Sequence, residues 1–215
     1  MRTIALVASG LLPLVAMAWA AQQLPPYRVL NGQTDSDGFP TTAARLCIGP
    51  ASSEQCYEPS PVPDLAPFGL NAMARGVKLV TGARLVLFTA EAYEGGSGSL
   101  TSIALLENRT GKLIDLLPTV RVTNQSEYRM WNLPTISELP ILVTADYIWN
   151  INAGETHFAQ HLYRITSYVY DKQAGHYVQR DEYVTKKKYA GLDDTDEIRV
   201  LEPEKPTILK RLQRR

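Results

Sequence analysis

The three histidines of the chain lie in one stretch, GETHFAQHLYRITSYVYDKQAGHY, running from Gly154 to Tyr177. Glu155 precedes His157 by two residues, and His161 stands four beyond His157. Carboxylate and imidazole are zinc ligands in hydrolases, so Glu155, His157 and His161 form a candidate metal or hydrolytic set. The backbone period decides what they can do. On a helix, His157 and His161 stand one turn apart and can share an ion. On a strand rising about 3.3 Å per residue they lie about 13 Å apart, too far for a common ion. The segment after His161, LYRITSYVYD, is rich in Tyr, Ile, Thr and Val, and the turn DKQAG leads into HYVQRDEYVTKKKY, equally strand-like. A hairpin is expected, with its histidines capping a strand entry or lying on a sheet face. No metal and no other cofactor is expected. The HExxH order of helical zinc sites is absent too, because no glutamate lies between His157 and His161.

Other constellations are weaker. Cys47 and Cys56 are the only cysteines; an even pair in an oxidising compartment reads as a disulfide closing the loop CIGPASSEQC. DSDG, Asp35 to Gly38, resembles part of a calcium loop, but Gln33 stands where the first acid is required, so a solvated turn is expected. The acidic run Asp193, Asp194, Asp196 and Glu197 reads as a solvated loop. Gly95 to Ser99 fails the G-x-S-x-G pattern of hydrolase elbows, and a strand pattern comes next where a helix is needed. Glu155 with Asp146 or Asp171 would be the pair for a carboxylate-based glycosidase, and no Ser/His/Asp or Cys/His motif accompanies them.

The hairpin carries a second kind of chemistry. Tyr163, Tyr168, Tyr170, Tyr177, Tyr183 and Tyr189 are six of the eleven tyrosines, interleaved with Arg164, Arg180, Lys186, Lys187 and Lys188. Tyrosine pairs well across strands and long cationic chains cover apolar faces, so sheet packing accounts for the mixture. Tyrosine and arginine also anchor protein interfaces and stack on sugar rings. Alternation puts Tyr168 and Tyr170 on one side of their strand and Tyr163, Ile165 and Val169 on the other. The candidate binding residues are Tyr168, Tyr170, Lys172, His176, Tyr177 and Arg180, with the DKQAG turn as the protruding element.

The elements that position these residues are set by the rest of the chain. Residues 1–20 have Arg2, an apolar run interrupted by Gly10 and Pro13, and Ala18-Trp19-Ala20 as a small-x-small cleavage site. They read as a secretory signal peptide rather than a membrane anchor, which needs about 20 unbroken apolar residues. Cleavage removes Arg2 from the 22 basic side chains, leaving one fewer than the 22 acidic ones. That balance gives no general attraction to nucleic acid or anionic lipid, and neither is an expected partner. Residues 21–75, rich in Pro, Gly, Ser, Thr and Asp, read as an extended leader holding the disulfide loop. Residues 76–200 read as an antiparallel β domain. Its first part, ARLVLFTAEAYEGGSGSLTSIALLENRTGKLIDLLP, has three strands, with Gly111 taking the positive backbone angle of a hairpin turn. Residues 201–215, with Pro203, Pro206 and the terminal Arg214 and Arg215, read as a basic tail forming one helical turn or a frayed end.

YRITSYVYDKQAGHYVQRDEYVT, with its Y-x-Y-D, five-residue turn and G-x-Y, resembles a blade hairpin of the periplasmic β-propeller-like proteins. It is similar in particular to the exported propeller-like inhibitors of lysozyme-type cell-wall hydrolases. LTSIALLENRTGKLIDLLP echoes the same layout, with Gly111 64 residues before Gly175. The resemblance covers about half of the chain and implies a propeller-like or sandwich arrangement of antiparallel hairpins.

The expectation is a mainly β, periplasmic or secreted protein that binds a protein partner without catalysis. The resemblance implies a cell-wall hydrolase as the partner and inhibition as the effect. Two readings stand beside it: a metal-dependent or carboxylate-based envelope hydrolase using Glu155, His157 and His161, and a structural envelope component.

Overall fold

The computed structural model describes residues 27–50, 52–78, 84–95, 98–149, 155–156, 159–190 and 199–214. The signal peptide, His157 and the acidic run at 193–197 lie outside them. Among the described residues twelve strands and one helix succeed one another: β1 (Tyr27–Leu30), β2 (Arg45–Ile48), β3 (Gln55–Tyr57), β4 (Leu70–Lys78), β5 (Arg84–Gly95), β6 (Gly98–Arg109), β7 (Lys112–Asp115), β8 (Val120–Thr123), β9 (Glu127–Trp131), β10 (Ile141–Ile148), β11 (Leu162–Asp171), β12 (His176–Val184) and α1 (Leu201–Leu212).

All the pairings between these strands are antiparallel, as the alternating and β-branched patterns lead one to expect. They make three sheets: β1-β2-β3, a central β4-β5-β6-β7 in which β8 also pairs with β6, and a four-stranded β12-β11-β10-β9. Among the described residues the sheets close into neither a barrel nor a propeller; they stack.

The long strands β5 and β6 explain the stacking. LVLF and IALL are unbroken apolar runs, the pattern of strands covered on both faces. Val86, Phe88, Ala90, Ala104 and Leu106 pack with Leu46, Ala44 and Phe68 on the side of the β1–β3 sheet. Leu85, Leu87, Ile103 and Leu105 point the other way and meet Leu142 and Tyr177 of the four-stranded sheet. The outer face of that sheet carries Trp131, Ile141, Val143, Tyr163 and Ile165, which α1 covers with Leu201, Ile208 and Leu212. The order of layers is therefore sheet, sheet, sheet, helix.

Two segments differ from the sequence reading. The stretch read as a leader carries β1, β2, β3 and the first part of β4. Three of these strands are only three or four residues long, too short for alternation to show, and Leu46, Cys47 and Ile48 are buried nonetheless. The stretch read as a basic tail is a helix of 12 residues. Its prolines argue against a helix, since Pro206 lacks the N–H an interior turn requires. Burial of one face against the sheet outweighs that loss.

Candidate functional site

The β11–β12 turn is built by Asp171 and Gly175. The Asp171 Oδ1 accepts hydrogen bonds from the backbone N–H of Gln173 at 2.8 Å and of Ala174 at 3.1 Å. These bonds, Ala174 first, hold the Asp171 carboxyl below the usual carboxylate range. Gly175 takes a φ of +71° and donates its N–H to the Asp171 carbonyl at 2.8 Å. A side chain at that φ would be strained, so the glycine fixes the turn shape. Gly111, at +85°, does the same between β6 and β7.

The candidate binding residues divide. Lys172 and His176 are exposed at the turn; Lys172 Nζ lies 3.4 Å from the Glu138 carboxylate, and His176 Nδ1 lies 3.0 Å from the Ala174 carbonyl. Arg180 is exposed on β12. Tyr168 and Tyr170 are half-buried, leaning on the core between the central and four-stranded sheets. Tyr177 is fully buried and cannot belong to an exposed face: its hydroxyl donates to the Pro140 carbonyl at 2.6 Å, and burial, with Tyr170 beside it, raises its phenol well above the usual range. Its ring meets Tyr170 edge-on at 5.7 Å.

Beside the turn lies a groove of about 440 Å³. Its lining includes Tyr170, Asp171 and Arg180 together with Thr135, Ile136 and Gln213. Tyr170 and Arg180 are thus brought to one concave surface next to Lys172.

The alternative set is brought together in part. The Glu155 Oε2 lies 3.4 Å from Nδ1 of His161, while Lys188 Nζ lies 2.5 Å from its other oxygen. His161 is fully buried, its Nε2 3.0 Å from the Thr156 carbonyl. Its backbone exchanges two hydrogen bonds of 2.8 Å with Tyr189, so it sits at the entry of β11. Residues 159–161 are not helical. Among the described residues the one grouping of three ligand-type side chains is Cys47, Glu54 and Cys56. Its sulfurs are joined in a disulfide across paired residues of β2 and β3.

Three carboxylates that sequence reasoning did not single out hold α1 in place. Glu127 caps its N-terminus, Glu204 accepts hydrogen bonds from the hydroxyls of Tyr183 and Tyr189, and Asp181 takes two from Arg211. Tyr183 and Tyr189 are therefore anchors of the helix. Nothing in their local sequence distinguishes them from surface tyrosines.

Among the described residues no helix is long and apolar enough to cross a membrane. Comparison with protein families, curated proteins and solved structures gives no match.

Proposed function

We propose that this protein is exported to the periplasm or beyond and acts by binding, presenting the β11–β12 turn to a lysozyme-type cell-wall hydrolase and blocking it. The observation that carries this reading is the turn itself, fixed by Asp171 and Gly175 and flanked by Lys172, His176 and Arg180. A rigid turn loses little freedom on binding. Glycan-cleaving clefts hold paired carboxylates, which cationic side chains complement. The groove beside the turn, with Tyr170 and Arg180, would receive the rim of such a cleft.

Export is supported by the apolar start with its small-x-small site and by the Cys47–Cys56 disulfide, which suits an oxidising compartment. The four-stranded meander β9 to β12 has the layout of one propeller blade, consistent with the resemblance of its hairpin. The test is lysis of isolated peptidoglycan by a purified lysozyme-type muramidase. An equimolar amount of this protein is expected to suppress lysis, and Lys172→Glu combined with Arg180→Glu to restore it. An undiminished lytic rate in the presence of excess protein would refute the reading.

The second reading is a hydrolase using Glu155, His157 and His161, favoured by the contact between Glu155 and His161. Stoichiometric metal on the purified protein, lost in His157→Ala, would establish it.

A further inference from the structure

The central sheet has one face whose chemistry changes along its length. On β5 the residues facing the four-stranded sheet are Leu85 and Leu87, both buried in the core between the sheets. The next two on that face are Thr89 and Glu91. On β6, Ile103 and Leu105 are buried likewise, and Thr101 and Ser99 precede them on the same face. Thr89 is still buried, whereas Glu91, Ser99 and Thr101 are half-buried, so the cover ends beyond Thr89. Beyond it lie two adjoining hollows of about 270 and 260 Å³, which share Met73, Thr89 and Tyr128.

The hollows present hydroxyls from Ser99, Thr101 and Ser126, one carboxylate from Glu91, and the ring of Tyr128; Thr89 lines both but is only 5% exposed. Hydroxyls both donate and accept, and a carboxylate accepts from two neighbouring hydroxyls at once, a match for the vicinal diols of a sugar. The Glu91 carboxylate is oriented by the Asn71 side-chain amide, which donates to Oε2 at 2.7 Å. The facing wall is rigid. Asp146 Oδ1 accepts from the Thr123 N–H at 3.0 Å and from the hydroxyls of Thr123 and Ser126, both at 2.6 Å.

Apolar surface for the C–H faces of sugar rings is at hand. Met73 is 61% exposed, and Tyr93, two residues beyond Glu91 on the same face, is 45% exposed with its ring edge-on to Phe39 at 5.8 Å. Arg75 lines the opposite end from Glu91, so the groove has no excess of either charge to favour an ionic ligand.

We infer that this polar end of the central sheet is a binding groove for a neutral oligosaccharide. It is a different surface from the β11–β12 turn, so the fate of one assignment does not decide the other.

The test is titration of the isotopically labelled protein with chitotetraose, cellotetraose and maltotetraose, monitored by amide chemical shifts. Saturable binding below about 10 mM by at least one of them is expected, with shifts centred on Glu91, Ser99, Thr101 and Tyr128. Glu91→Gln and Thr101→Val each preserve side-chain shape and are expected to weaken binding about tenfold. Lys172→Glu should leave it unchanged. Absence of saturable shifts with all three sugars would overturn the inference, as would binding indifferent to both groove variants. Tighter occupancy of the same residues by the extended peptide acetyl-Val-Thr-Val-Thr-amide would overturn it in favour of a peptide site. Should either variant fail to fold, the shift map of the unaltered protein carries the test.

Discussion

The carboxylate of Glu127, on β9, accepts a hydrogen bond from the backbone N–H of Leu201, the first residue of α1, at 2.8 Å. The same oxygen accepts from the N–H of Val200 at 2.7 Å. Val200 itself supplies no side-chain cap, so a strand residue 74 positions before Leu201 acts as the N-cap. The negative charge also sits at the positive end of the helix. Glu127→Ala leaves two buried N–H groups without acceptors and is expected to cost about 2 kcal/mol. Urea unfolding monitored by far-ultraviolet circular dichroism would measure it. An unchanged midpoint would mean that water takes over the capping.

Asp181, on β12, is nearly fully buried and accepts two hydrogen bonds from Arg211, whose guanidinium also lies over the Tyr183 ring. Removing the arginine takes two charge-assisted hydrogen bonds from a nearly buried carboxylate, whereas removing both partners also removes the charge that needs them. Arg211→Ala should therefore destabilise by about 2 to 3 kcal/mol, and the double variant Asp181→Asn with Arg211→Met by less. A double variant worse than the single one would contradict this account.

Asp115 gives a pH dependence with a definite sign. Burial raises its carboxyl above the usual range, while hydrogen bonds from the Leu117 N–H, the Tyr57 hydroxyl and the Leu105 N–H pull the other way. A carboxyl raised on folding favours the native state most when protonated, below its unfolded pKa, and that stability is lost as pH rises through the folded value. Asp115→Asn removes the titration. Relative to the unaltered protein, the variant should gain stability as pH is raised from about 3 to 7. Parallel curves of stability against pH would rule out this titration.

Gly175→Ala forces an alanine to a φ of +71° and should cost about 1 kcal/mol, read as a lower melting temperature. It should also weaken any activity that depends on the β11–β12 turn. A melting temperature equal to that of the unaltered protein would show that the turn relaxes to another shape.

Reduction of the Cys47–Cys56 bridge frees a short loop in the unfolded chain and is expected to lower stability by about 2 to 3 kcal/mol. Unfolding with and without dithiothreitol would measure it. Melting unaffected by reduction would show that the β1–β3 sheet holds without the bridge.

The long hairpins are legible in the sequence because their signals are local. The apolar runs of β5 and β6, the turn at Gly111, and the Tyr-rich segments on either side of Asp171 and Gly175 each carry strand pattern and turn chemistry within about a dozen residues. The disulfide is legible by cysteine count alone. The strands of the supposed leader are not, because three or four residues show no period.

What the amino-acid order determines by itself is the element type wherever a period repeats and a turn residue closes it. Which face each element buries is decided only by tertiary structure, because burial depends on a partner far away in the chain. Tyr177 and His176 are neighbours with equal claims to a surface, yet one fills the core between two sheets and the other faces solvent. The helix at Leu201 exists against its prolines because a sheet face offers Trp131, Ile141 and Tyr163 to cover, and because Glu127 and Asp181 wait there to pin it, while its own Glu204 reaches the hydroxyls of Tyr183 and Tyr189. The polar groove likewise arises from two strands outrunning the sheet that covers them, a difference of lengths that no single segment records.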